Sequence, residues 1–204
     1  MAFLSNFMDS SDIPVLKGPR VFLRLPQMTD YSAWSSLRTA SRKFLTPWEP
    51  LWPPDDLSRA SYRARMKRYA RDVQEDVAYP FFLFIADSGA LCGGLTLSNI
   101  RRGVAQTATL GYWIGEPYSR KGLMTEAVGT LMPFVFDYLG LHRLEAACLP
   151  HNAASIRLLK ACNFIQEGYA RHYLRINGEW HDHLLFAILA EDRERQNRQK
   201  SSTL

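Results

Sequence analysis

Between Thr107 and Leu139 the chain passes directly from a strand pattern through a short glycine-containing turn into a long helical pattern, and that succession constrains everything built around it. Leu110, Tyr112 and Ile114 alternate as one face of a strand, the segment Gly115 to Ser119 breaks it, and an apolar helical pattern begins after Gly122. The first N–H groups of a helix have no partners inside the helix and carry the positive end of its dipole. A glycine that lets a ligand approach, flanked by Arg120 and Lys121, therefore favours a phosphate group. An ordinary strand-to-helix connection would read the same way, so this segment alone leaves both meanings open.

The rest of the chain must close around that unit. With 204 residues, 47% hydrophobic and 22% charged, it suits one domain with a substantial core. No run approaches the roughly 20 apolar residues of a membrane span, and the first residues lack the basic and apolar regions of a leader, so no membrane contact is expected and the cytoplasm is the expected compartment. Cys92, Cys148 and Cys162 are an odd number at spacings that suit neither zinc nor a redox pair, and are expected to be reduced core thiols.

The net charge of +5 is concentrated between Ser58 and Asp72, where Arg59, Arg63, Arg65, Lys67, Arg68 and Arg71 stand against one acid. Tyr62, Met66 and Tyr69 recur at helical spacing and supply a buried edge, which makes the segment a surface helix with a solvated charged face. The same charge would also attract RNA or an RNA-rich particle.

Pro19 to Pro26 reads as a first strand, followed by a helix capped by Thr29 or Asp30 and running to about Arg42. A proline-rich loop leads to the basic helix. The runs PFFLFIAD and LCGGLTLSN are strands joined at Ser88 and Gly89, and Val104 to Ile114 continues this antiparallel meander. Pro133 lies inside the helical pattern that follows, where its missing N–H and its ring are expected to bend or interrupt the helix. HRLEAACLP is another strand, and the next helix is capped by Asn152 and closed by a left-handed Asn163. Two final strands flank Asn177 and Gly178, a strong hairpin signal. The sum is one α+β domain over 19–190, with a lead-in over 1–18 and a polar, frayed tail over 191–204.

Three pieces, GYWIGEPYSRKGLMTEA, HNAASIRLLKACNF and EGYARHYLRINGEWHDHLLFAIL, resemble the GCN5-related N-acetyltransferases, and among them the RimJ/RimL-type acetyltransferases of ribosomal-protein N-termini. The last piece is closer to the RimJ branch. The resemblance implies a mixed, mostly antiparallel sheet of about seven strands flanked by helices, with two central strands splayed and a C-terminal hairpin. It implies acetyl-CoA as co-substrate and no metal. The family's turn usually reads Gln/Arg-x-x-Gly-x-Gly/Ala, which puts Ser119 first, Gly122 at the central glycine and Met124 last. Ser119 departs from the pattern by lacking a long polar side chain. By resemblance the pyrophosphate lies on Arg120, Lys121, Gly122, Leu123, Met124 and Thr125, with Ser119 beside it. The pantetheine pairs like a strand with Tyr112, Trp113 and Ile114, and Asn152 holds its arm. Many family members protonate the departing thiolate with a helix tyrosine, but Leu159 stands there. Ser155 matches the serine of the Rim-like branch and would hydrogen-bond the developing thiolate.

Attack on a thioester needs an uncharged amine. An α-amine of pKa near 7.8 is roughly 14% neutral at pH 7 and a lysine amine about 0.04%, a ratio of about 350. A protein N-terminus therefore suits a chain without an obvious strong base, and a ribosomal protein beginning with alanine or serine is the expected acceptor. Glu126, Glu145, Glu167 and Asp182 are candidate proton acceptors; Glu145 is the one assigned here, with an ion pair to Arg143 or Arg175 as its structural alternative. A backbone N–H near Trp113 or Ile114 is expected to polarise the carbonyl. Trp48, Trp52 and Tyr118 are candidates for the acceptor groove. Strand alternation puts Asp182 on the opposite face from His181 and His183, which argues against a metal there. Two rival functions remain: acetylation of a small amine such as an antibiotic or polyamine, and a non-catalytic module binding ribosomal RNA through 58–72.

Overall fold

Alternating apolar residues bring eight strands into one sheet, ordered β1-β2-β3-β4-β5-β6-β8-β7, in the computed structural model, which describes residues 13–193 and residue 195. The strands are β1 Leu16–Lys17, β2 Val21–Arg24, β3 Tyr79–Ile85, β4 Leu91–Arg101, β5 Thr107–Ile114, β6 Arg143–Cys148, β7 Ile165–Ile176 and β8 Glu179–Leu189. The helices are α1 Tyr31–Ala40, α2 Arg42–Leu45, α3 Arg59–Gln74, α4 Leu123–Pro133 and α5 Ala153–Ala161. Among the described residues only β5 and β6 run parallel; every other neighbouring pair is antiparallel. No helix among the described residues is long and apolar enough to cross a membrane.

Several local expectations hold. Asn177 and Gly178 both have positive φ at the β7–β8 turn, and Asn163 closes α5 at φ 63°. The helix after Gly122 is α-helical to Pro133 and then widens into a π-helix, Phe134–Tyr138, in which the Leu139 N–H reaches back to the Phe134 carbonyl at 2.9 Å. Pro133 cannot donate to the preceding turn, and the wider turn absorbs the misfit while Phe134, Val135 and Phe136 stay buried.

Other expectations need correction. The expected sheet of about seven strands holds and, among the described residues, gains a short eighth one because Leu16 and Lys17, inside the expected lead-in, pair with Leu23 and Phe22. The third meander strand starts at Thr107, not Val104, because Gly103 and Gln106 adopt positive φ in the preceding turn. The first helix breaks at Ser41, and neither Thr29 nor Asp30 caps it with a side chain. The Asp30 carboxylate turns back instead, taking the Gln27 N–H and the Arg24 guanidinium. In the expected tail, Arg193 forms an ion pair with Asp137 at 2.6 Å; residues 1–12, 194 and 196–204 lie outside the described residues.

The sheet carries a core on each face. On one, α4 buries Leu123, Met124, Ala127, Val128 and Leu131, and Tyr112 and Ile114 pack against that side. On the other, Trp34 and Tyr62, from α1 and α3, pack on Phe82, Phe84 and Leu91, with Trp113 at the margin. Each such side chain contributes roughly 1.5–3 kcal/mol when fully buried. Tyr62 supplies the expected buried edge of α3, with Met66 partly buried beside it. Cys92, Cys148 and Cys162 are free thiols, and burial pushes Cys148 and Cys162 up to about 11.

Candidate functional site: a split sheet facing a helix terminus

β5 and β6 pair only at Thr107↔Arg143, Ala108↔Leu144 and Thr109↔Glu145. Beyond that point β6 follows β8 to Cys148 while β5 follows β4 to Ile114, so the two strands part. The Gly115 N–H bonds the Cys92 carbonyl at 2.8 Å, and the unbroken register from there fixes the alternation along β5. Trp113 turns its N–H and C=O toward β4, whereas Tyr112 and Ile114 turn theirs into the gap. Backbone groups facing a gap call for a partner that is itself strand-like.

The turn after β5 ends beside this gap. Glu116–Tyr118 is a single 3-10 turn whose Glu116 carbonyl accepts from the Ser119 hydroxyl at 2.9 Å. Arg120 and Gly122 both have left-handed backbone, φ 59° and 74°. Such alternation folds successive N–H groups toward one concavity, which is an anion-binding shape. Gly122 is the N-cap of α4 and offers no side chain to its first N–H groups, so those of Leu123, Met124 and Thr125 lack a side-chain cap. Arg120 and Lys121 are exposed beside them.

Arg20, which sequence reasoning missed, ties β2 to this turn. Its Nε meets Glu126 Oε2 at 2.7 Å, its backbone N–H meets Oε1 at 2.6 Å, and its Nη1 meets the Lys121 carbonyl at 3.2 Å. Burial disfavours the charge on Glu126, but the Arg20 donors outweigh it and hold the carboxyl below its usual range. Glu126 is thus committed to Arg20. Glu167 is committed likewise, held low by a bidentate pair with Arg143. Asp182 accepts from the Tyr169 hydroxyl and the His172 N–H, which hold it low. Glu145 stands where β5 and β6 part, between Arg143 at 2.8 Å and Arg101 at 3.8 Å. Arg175 serves the Gly178 carbonyl instead. No group of three His, Cys, Asp or Glu among the described residues is arranged to hold a metal.

Across the gap, the Asn152 side chain accepts the Ser155 N–H at 3.0 Å and caps α5. That uses its carbonyl oxygen and leaves its amide donors for another partner. Leu159 is fully buried in the core.

The loop 46–52 spans the open end. Arg38, only 7% exposed, holds Glu49 through two bonds of 2.8 and 2.7 Å, and the Trp52 indole N–H adds a third at 2.8 Å. The same guanidinium lies 4.1 Å from the centre of the Trp52 ring and 5.0 Å from that of Trp113. Two adjacent residues of the loop are tied to different elements. The Asn177 N–H at the hairpin tip bonds the Glu49 carbonyl at 2.9 Å, and Trp48 lies 5.6 Å from His151, just before α5. Trp48 and Trp52 therefore stand at the open end, whereas Tyr118 lies in the turn before α4, 5.9 Å from the Lys121 amine. The Arg38–Glu49 pair was also missed by sequence reasoning. An isolated acid between prolines and two tryptophans was the one available signal.

Residues 20–165 match the model of the acetyltransferase (GNAT) domain. The chain belongs to the GCN5-related N-acetyltransferase family. It is 36% identical to the probable N-acetyltransferase YjcK of Bacillus subtilis, over 88% of this chain and 99% of that protein. It is 34% identical to the [ribosomal protein uS5]-alanine N-acetyltransferase of Escherichia coli, over 85% of this chain and 89% of that protein. Among solved structures, Mycobacterium smegmatis RimJ in complex with CoA-disulfide superposes with a TM-score of 0.82 at 32% identity, covering 88% of this chain and 87% of that one. The chain is accordingly an acetyltransferase of the RimJ/RimL type, from a family that uses acetyl-CoA. The uncapped head of α4 and the open edge of β5 are a fitting cradle for a diphosphate followed by an amide-bearing arm.

Proposed function

We propose that this enzyme transfers acetyl from acetyl-CoA to the N-terminal α-amine of a ribosomal protein beginning with alanine or serine. The observation that carries the reading is the parting of β5 and β6 directly above the uncapped helix α4, with Asn152 and Ser155 across the gap. The kinship with an alanine N-acetyltransferase of ribosomal protein uS5 supports the acceptor class, and such a substrate places the reaction in the cytoplasm.

The bound co-substrate supplies the activated acetyl thioester. The N–H groups of Leu123, Met124 and Thr125, with Arg120, Lys121 and Gly122 around them and Ser119 at the rim, hold its pyrophosphate. The backbone of Tyr112 and Ile114 pairs with the pantetheine amides, Trp113 lies between them with its own groups given to β4, and Asn152 donates from the other side. The N–H that remains free nearest the turn, on Ile114, polarises the acetyl carbonyl. Ser155 donates a hydrogen bond to the sulfur as the C–S bond breaks. Glu145, flanked by two guanidinium groups, serves here as a brace, and the proton released by nitrogen leaves through water.

Cations Arg59, Arg63, Lys67 and Arg71 recur every four residues on the exposed face of α3. They are proposed to meet ribosomal RNA near the acceptor, a contact that weakens steeply with salt.

Mass spectrometry of ribosomal proteins from cells with and without the gene tests this. One N-terminus losing a single acetyl group is the expected result. Unchanged N-termini, with acetyl found instead on a lysine, a polyamine or an antibiotic amine, would move the acceptor elsewhere.

A further inference from the structure

The two faces of the gap are unequally closed. β5 turns Tyr112 and Ile114 to the side on which α4 packs, and β6 turns Leu144, Ala146 and Cys148 the same way, so that face is core. A nucleophile then has to arrive from the other face, where strand alternation puts Gly111 and Trp113 of β5 and Glu145 and Ala147 of β6.

On that face the largest side chain is folded aside. Trp113 pairs with Gly94 of β4, and its indole lies across that glycine: a Cβ on Gly94 would stand 2.6 Å from the indole nitrogen. β4 and β6 flank β5 on opposite sides, so the ring leans away from the gap, where the Arg38 guanidinium lies 5.0 Å from its centre. Two residues earlier, Gly111 is exposed, and a Cβ there would meet no heavy atom of the described residues within 4 Å beyond its chain neighbours. Ala147, level with it across the gap by continuation of the Thr109↔Glu145 pair, presents only a methyl group. A glycine inside a strand and beside open space marks a place where a ligand or another main chain comes close.

We infer that Gly111 is a specificity-determining residue of the acceptor site: it keeps β5 open for the terminal segment of a polypeptide, whose amine meets the thioester from the face opposite α4. The inference rests on the acetyl transfer proposed above and adds the direction of attack and the reason a chain, rather than a small amine, fits the opening.

The attacking nitrogen has to come within about 3–3.5 Å of the thioester carbon. An extended segment lying against bare β5 can bring it there, whereas a side chain standing on position 111 would lift that segment off the strand. A small amine carries nothing behind its nitrogen and has no need of the cleared surface. The chemistry is the same for both: the C–N bond forms, the C–S bond breaks with its electron pair left on sulfur, and the nitrogen gives its proton to water.

The test is steady-state kinetics on Gly111→Ala and Gly111→Val with two acceptors, a peptide beginning with alanine and the truncated acceptor alanine amide, alongside calorimetry of CoA binding. Valine suits a strand and enters open space, so the melting temperature is expected at or above the wild-type value. CoA affinity should be unchanged, because the pantetheine is assigned to the edge of β5 and not to its face. For the peptide, kcat/KM in Gly111→Val should fall by about 10- to 100-fold, since a displacement of about 1 Å at the reacting atoms can cost on the order of 100-fold; Gly111→Ala should fall between, and alanine amide should lose less than about 3-fold. Wild-type kcat/KM for the peptide in Gly111→Val, or an equal loss for both acceptors, would overturn the inference while leaving the acetyl transfer intact. A matching loss of CoA affinity or of melting temperature would overturn it too, assigning Gly111 to the cofactor or to the fold. No turnover of either acceptor by the wild-type enzyme would remove the transfer and this seat with it.

Discussion

The two walls of the site are made of different material. On the side proposed for the phosphates the functional surface is main chain: two left-handed residues, an uncapped helix terminus and the open edge of β5. On the open end it is side chain: a guanidinium that holds a glutamate and lies against two indoles, fixing a proline-rich loop between the hairpin tip and the start of α5. A main-chain cradle accepts many side chains provided the backbone can take its shape, so it can stay constant while acceptors change. A side-chain brace depends on each partner and suits the part that distinguishes one acceptor from another.

Arg38→Ala should show the difference most strongly. It leaves Glu49 and Trp52 without their partner in a largely buried setting, at a cost of roughly 3–5 kcal/mol. For a domain of this size, calorimetry should register a melting temperature lower by about 6 to 20 °C. In the protein that stays folded, acceptor KM should rise while CoA affinity is kept; equal loss of both would merge the two walls into one unit.

Gly122→Val attacks the other wall. A branched side chain at φ 74° is strained by about 1–2 kcal/mol and puts methyl groups where a diphosphate must approach. CoA binding, measured by calorimetry, should weaken by at least about 10-fold, with acceptor affinity unaltered. Undiminished binding would place the phosphates elsewhere.

This contrast also explains what could be read in advance. The strand, turn and helix from Thr107 onward, the Asn152 cap, the Asn163 stop and the Asn177–Gly178 hairpin are local, and each depends on a backbone preference written in a few adjacent residues. Arg38 and Glu49 lie 11 residues apart with a helix break between them, and Arg20 meets Glu126 from 106 positions away. Their partnership is a product of packing, and no local pattern announces it. The π-helix after Pro133 lies between these cases: the proline foretold an interruption, and only the packing of Phe134, Val135 and Phe136 decided that the helix would widen instead of stopping.

Acid should act more gently. His183, buried on β8 with its Nδ1 at the His181 carbonyl and its ring edge-on to Tyr173, has its titration lowered by burial. A histidine whose folded pKa lies below its unfolded value leaves the unfolded chain binding more protons, so stability is full above about pH 6.5 and declines as the pH falls toward the folded value. Glu126 on the phosphate side has its folded pKa depressed, so its contribution persists above about 4.5 and is lost only in stronger acid. Melting between pH 7.5 and 5.5 should therefore show a decline that His183→Gln reduces; an unchanged slope in the variant would assign the decline to other groups.

The smallest effect is expected from Glu145→Gln. A partly exposed ion pair contributes about 0–1 kcal/mol, so stability should barely move, and kcat should change by less than about 3-fold if Glu145 is a brace. Loss of about 100-fold or more would make it the proton acceptor instead.

Titration of CoA into the wild-type enzyme, followed by calorimetry, bears most directly on the main-chain cradle. One binding event per chain is expected, abolished or sharply weakened by Gly122→Val and retained by Arg38→Ala wherever that variant folds. Absence of heat with the wild-type chain, or equal affinity in Gly122→Val, would contradict a diphosphate seated on the first amides of α4.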